Sequence, residues 1–138
     1  MLRQVLLAYD GSPSSEDALN LACDLTRGLG ATLQVLTVID QSAYANGVEL
    51  EAERRSALQR LRRLEPMALR AGFSLQLEVL IGDPAKEILA QVSRLPADIL
   101  VLGRSRPSTI DRLATSSVVE LVLPEAACAV LLPKTAGP

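Results

Sequence analysis

Two stretches of this chain carry residues that could do chemistry. The first is Asp10-Gly11-Ser12, a carboxylate, a glycine and a hydroxyl in succession. An aspartate there can accept hydrogen bonds from a ribose or an adenine edge, with the Gly11 and Ser12 amides close by. The same residues also make an ordinary strand-to-helix turn with Ser12 as its cap. The second stretch runs from Gly103-Arg104-Ser105-Arg106 to Ser117. It holds Arg104, Arg106 and Arg112, and hydroxyls that include Ser116 and Ser117. Ser117 and Glu120 have the spacing of a capping box, so the stretch enters a helix N-terminus. Free amides and positive potential at such an end suit a phosphate. The alternative is a solvated loop whose Ser117 only caps a helix.

What is missing narrows the chemistry further. The chain has no histidine, so Ser–His and Cys–His nucleophile pairs and histidine metal sites cannot be built. Two cysteines, Cys23 and Cys128, have no CxxC partner, which argues against a disulfide framework or a thiolate zinc site. Neither GxGxxG nor GxxxxGK[ST] occurs. The net charge is −2, so no global basic field points to nucleic acid and no polybasic tract to a membrane surface. The first apolar run is too short for a signal peptide or a membrane span, and the expected location is cytoplasmic.

The elements that must position these residues follow from apolar runs and turn signals. At 138 residues, with 49% hydrophobic, the chain is sized for one domain. Gln4 to Tyr9 is a short apolar run cut off by Asp-Gly-Ser-Pro, a buried strand. Pro13 then opens a helix expected to bury Ala18, Leu21, Ala22, Leu25 and Leu29. Thr32 to Ile39 is a second strand. Glu49 to Ala71 reads as one long helix kinked at Pro66. Phe73 to Ile81 alternates as a strand with one partly exposed face. Pro84 opens the next helix, Ile99 to Leu102 is a fourth strand, and Cys128 to Leu132 is the last. Strands joined by helices of this length are parallel, with helices on both faces. Ligands in such sheets sit at the carboxyl ends of the strands. Asp10 to Ser12, Val38 to Asp40 and Gly103 to Ser117 compete for that place.

Five segments in this order resemble the universal stress protein family over essentially the whole chain. They are the DGS turn, the TVID end of strand two, IGDPAKEIL at helix three, the ADILVLG strand and the closing AACAVLLP. The resemblance implies an α/β fold, a five-stranded parallel sheet of order 3-2-1-4-5 (adenine nucleotide alpha hydrolase-like), over residues 1–133 with a short tail at 134–138. It implies a homodimer through the last strand. It also matches Asp10 to an adenosine-contacting aspartate and Val38 to the strand-two residue beside adenine.

Nucleotide-binding members carry G-x2-G-x9-G-[ST] after strand four. Here Gly103 matches the first glycine and Ser117 the hydroxyl, while Arg106 and Ser116 replace the other two glycines. A side chain blocks close approach of backbone amides to phosphate, and left-handed geometry would cost it about 1–2 kcal/mol. Arg104 and Arg106 could supply charge instead. The expected function is a regulatory stress protein, not an enzyme, with weak or no ATP binding. A sensor of AMP or ATP is the alternative. A phospho-receiver using Asp83 and Lys134 is disfavoured, because Asp10 lacks an acidic neighbour for magnesium.

Overall fold

The computed structural model describes residues 2–103 and 118–134. Strand β1 (Gln4–Ala8) is followed by helix α1 (Pro13–Leu29) and strand β2 (Thr32–Ile39). A short 3-10 turn (Gln41–Ala43) leads to helices α2 (Gly47–Arg62) and α3 (Glu65–Ala71). Then come β3 (Ser74–Ile81), α4 (Pro84–Arg94), β4 (Ile99–Leu102), α5 (Val118–Val122) and β5 (Ala129–Leu131). The sheet has the order β3-β2-β1-β4-β5 and every pairing is parallel, as the resemblance implied.

Strand alternation divides the core in two. Val5 and Leu7 of β1, and Tyr9 just past its end, face α1 and Leu61 and Leu64 of the α2–α3 segment. Leu6 faces the opposite way, against Ile88 and Val92 of α4 and Val122 of α5. β1 and β4 are central and read as unbroken apolar runs because both their faces are covered. Burying each large side chain contributes about 1.5–3 kcal/mol. Cys23 and Cys128 pack on opposite faces and are both free thiols.

One buried polar side chain in this core is held by a hydrogen-bond network. Gln34, buried on β2, accepts from Gln91 Nε2 at 2.7 Å and donates to Glu78 at 3.3 Å. Gln91 also donates to Glu78, and its own carbonyl oxygen accepts from Arg94 at 2.9 Å. The network ties β2 and β3 to α4.

Two expectations need correction. The residues that α1 buries are Ser15, Ala18, Leu19, Ala22 and Thr26; Leu21 and Leu25 pack half-buried against the same core, whereas Leu29 is 40% exposed. Leu29 is the last helical residue before the left-handed cap at Gly30 (φ 64°), where the helix gives way to the turn into β2. The Thr26 hydroxyl is satisfied by the Ala22 carbonyl at 2.7 Å. Second, the long helix is not kinked at Pro66 but divided at Arg63 and Leu64. The Leu64 amide bonds to Leu61, a 3-10 step, and Pro66 falls in the first turn of α3. A proline is tolerated there because its missing amide would have no partner.

Candidate functional site

The carboxyl ends of β1, β2 and β4 and the first turns of α1 and α4 converge on one cavity of about 160 Å³. It lies where the strand order reverses, between β1 and β4. Leu36, Val38, Ile88, Leu102, Val118 and Val119 make its apolar wall. Asp10, Ser12, Ser14 and Ser15 supply the polar side. Apolar walls with a few convergent polar groups are the usual make-up of a small-molecule site. The volume formed by the described residues suffices for part of a ligand, since whole pockets run to roughly 300–1,000 Å³.

The Asp10 turn is built from within. The Ser12 amide donates to Asp10 Oδ1 at 2.9 Å. Gly11 between them has φ 83°, a left-handed value that favours glycine. Its Cα hydrogens also face Arg60 of α2, and a Cβ would stand 2.8 Å from Arg60 Cδ. Ser12 caps α1 by accepting from the Ser15 amide at 3.3 Å, and the Ser15 hydroxyl returns a bond to the Ser12 carbonyl at 2.9 Å. The protein around the Asp10 carboxylate works to raise its pKa by stripping water. Hydrogen bonds from the Ser12 hydroxyl and amide and from Ser15 outweigh this and hold it below its ordinary value. Asp10 is therefore an anion at the mouth of the cavity at neutral pH.

Gly103 closes the opposite wall. A Cβ there would stand 2.7 Å from the Ser14 carbonyl carbon and oxygen and 2.8 Å from the Ser15 amide nitrogen. This glycine is required by the packing of β4 against the first turn of α1. Beside the cavity, the Tyr9 hydroxyl donates to Glu16 of α1. Burial, and then that bond to a carboxylate, push its pKa up to about 12.

The structure thus brings Asp10, Ser12, Val38 and Gly103 together, with Gly11 in the turn between them. Arg104, Arg106, Ser116 and Ser117 lie outside the described residues. Asp40 does not line the cavity; it is exposed and accepts from the Ser42 amide and hydroxyl at 3.0 and 2.6 Å. Asp83 is taken up as the cap of α4, accepting from the Lys86 amide at 3.0 Å, which leaves less for a phospho-receiver. Sequence reasoning missed Tyr9, Ser14, Ser15, Ile88, Val118 and Val119 as site residues. Pro84 and Ile88 had a signal, because a helix entered after β3 must begin at the same end of the sheet as Asp10.

Comparison with known proteins agrees with this fold. The family model described as the universal stress protein family matches residues 1–134. A universal stress protein of Methanocaldococcus jannaschii is 28% identical over 141 residues, covering 97% of this chain and 83% of the relative. The structure of the universal stress protein UspA from Lactobacillus plantarum superposes with a TM-score of 0.83 at 25% identity, covering 96% of this chain and 97% of that one. A family protein from Arabidopsis thaliana, solved with AMP bound, has the same fold, with a TM-score of 0.71 at 21% identity and coverage of 97% and 93%. The sheet order, the strand-end cavity and a family match over almost the whole length lead to one conclusion: this chain belongs to the universal stress protein family.

Proposed function

We propose that this chain is a regulatory stress-response protein that keeps the nucleoside end of the family pocket and has altered its phosphate end. The observation that carries this is the meeting of Asp10, Val38 and Gly103 at one cavity, in a chain with Arg106 and Ser116 at two glycine positions of the binding motif. Asp10 presents an acceptor beside an apolar slot, which suits a ribose or an adenine edge. We read binding and not turnover, because the chain holds no histidine to serve as a general base.

Mass spectrometry of nucleotide released from the purified protein tests the reading, together with thermal shift. A ligand at 100 times its Kd stabilises by about 2.7 kcal/mol. Millimolar ATP with magnesium is expected to give little shift. A rise of many degrees at micromolar ATP would overturn the reading. It would favour an AMP or ATP sensor in which Arg104 and Arg106 hold phosphate, the second reading, to which the AMP-bound relative lends support.

The functional unit we propose is a homodimer through β5. Among the described residues this strand pairs only with β4 and ends the sheet, and Leu121 and Leu123, in the segment that leads to it, are 48% and 45% exposed. An apolar sheet edge with such neighbours calls for a cover. Light scattering on Val130→Asp is expected to show loss of this association, with circular dichroism to confirm that the variant stays folded, because Val130 also packs on the core of its own chain.

A further inference from the structure

We infer that the other edge of the sheet, strand β3, is a second self-association surface that takes a second copy of this chain in antiparallel register about Leu77. The inference goes beyond the β5 dimer and does not depend on it. Natural edge strands are short or carry charged residues, lysine above all, or proline that blunts pairing. β3 spans Ser74–Ile81 with no lysine, arginine or proline, and its one charge, Glu78, is engaged by Gln34 and Gln91 of its own chain. Among the described residues nothing pairs with its outer side.

Hydrogen-bond phase decides which backbone groups are free. The Gly82 amide donates to the Ile39 carbonyl of β2. Amide and carbonyl of one residue point to the same side of a strand, and successive residues alternate. The even-numbered residues of β3 therefore address β2. The N–H and C=O of Leu75, Leu77 and Val79 face outward.

The side chains then choose the occupant and the register. A two-fold axis through Leu77 sets Leu77 against Leu77 and Leu75 against Val79, apolar on apolar, with their outward backbone groups exchanging hydrogen bonds. On the opposite face it sets Gln76 against Glu78, twice, a donor facing a carboxylate. Glu78 Oε2 is held by Gln34 and Gln91, and among the described residues no hydrogen bond takes its second oxygen, which is left to face Gln76. Moving the axis to Glu78 would oppose two carboxylates, so charge disfavours that register, and the Leu77 axis is the one that sets Gln76 against Glu78.

The groove beside the strand supports the same occupant. Leu58, Leu69, Phe73, Leu75 and Leu77 line an open channel between the α2–α3 break and β3. Leu69 on its lip is 83% exposed. Arg62 and Glu65 on the same wall give one charge of each sign, a combination that a two-fold axis can pair across copies. Two such axes on opposite sheet edges generate an open chain of copies and not a closed dimer.

The experiment uses position 76, which is exposed, so the fold is not at risk. Gln76→Glu places like charges opposite Glu78 in both symmetry-related pairs. Gln76→Lys places opposite charges there. Sedimentation or light scattering is run from micromolar to millimolar on both variants, in the natural chain and with Val130→Asp. The expected result is that Gln76→Glu weakens association by about tenfold relative to Gln76→Lys. Equal mass distributions for the two variants in the natural chain would overturn the inference. Failure of the β5 reading gives a different signature, a Val130→Asp mass equal to that of the natural chain.

Discussion

Gly103 lies flush against the backbone of Ser14, so close that a Cβ would stand 2.7 Å from the Ser14 carbonyl oxygen. The obstacle is main chain and not the end of a flexible side chain, so it cannot swing aside. The contact sets one wall of the cavity by fixing how far β4 stands from α1. Overpacking of this kind costs about 1–3 kcal/mol. Gly103→Ala is therefore expected to lower the melting temperature by several degrees, as calorimetry would show. An unchanged melting temperature would mean that the helix start moves freely.

Asp10 makes stability depend on acid. Its folded pKa is lowered from 3.8, so its contribution is present above pH 3.8 and is lost as pH falls through the folded value. Asp10→Asn retains a side-chain acceptor for the Ser12 amide but removes the titration. Denaturant midpoints of the variant are expected to fall less steeply below about pH 4 than those of the natural chain. Parallel curves would assign the acid limb to other carboxylates, such as Asp98, which accepts from the Arg3 and Gln4 amides.

Tyr9 acts at the alkaline end. The folded pKa is raised from 10.0 to about 12. Stability from keeping the hydroxyl neutral is thus complete below pH 10.0 and lost as pH rises toward about 12. The chain has two tyrosines and no tryptophan, so ultraviolet titration can assign each phenol. Tyr9→Phe is expected to abolish the step near pH 12 and to flatten the alkaline loss of stability. A step that survives the substitution would belong to Tyr44, whose phenol is also shifted upward by burial.

Restoring the missing glycines tests why ATP binding is expected to be weak. Arg106→Gly with Ser116→Gly should raise ATP affinity about tenfold or more, or 1.4 kcal/mol. The gain should fall on ATP and not on adenosine, because the altered positions belong to the phosphate end of the motif. Calorimetric titration with both ligands measures the difference. An equal gain for adenosine would place the cause elsewhere in the pocket.

Much of this protein is legible in its sequence. The strands are, because their apolar runs stop at turn residues: β2 occupies the Thr32–Ile39 run itself. Asp10, Val38 and Gly103 are legible as strand ends, and parallel strands carry their ends to one side of a sheet. The break between α2 and α3 is not. Leu61, Leu64 and Ala68 are spaced by 3 and 4 and stay on one buried face, so hydrophobic periodicity runs through the interruption without a mark. The cavity wall is hidden for a different reason. Ile88 and Val118 meet Val38 only because α4 and α5 dock on the same sheet face, and local pattern does not encode docking. Arg60 over Gly11 and Ser14 against Gly103 are likewise contacts between segments far apart in the chain. Local sequence determines where a strand stops and which side chain ends it. Only packing of whole elements decides which ends touch, because distance in space is set by the sum of all the contacts that close the core.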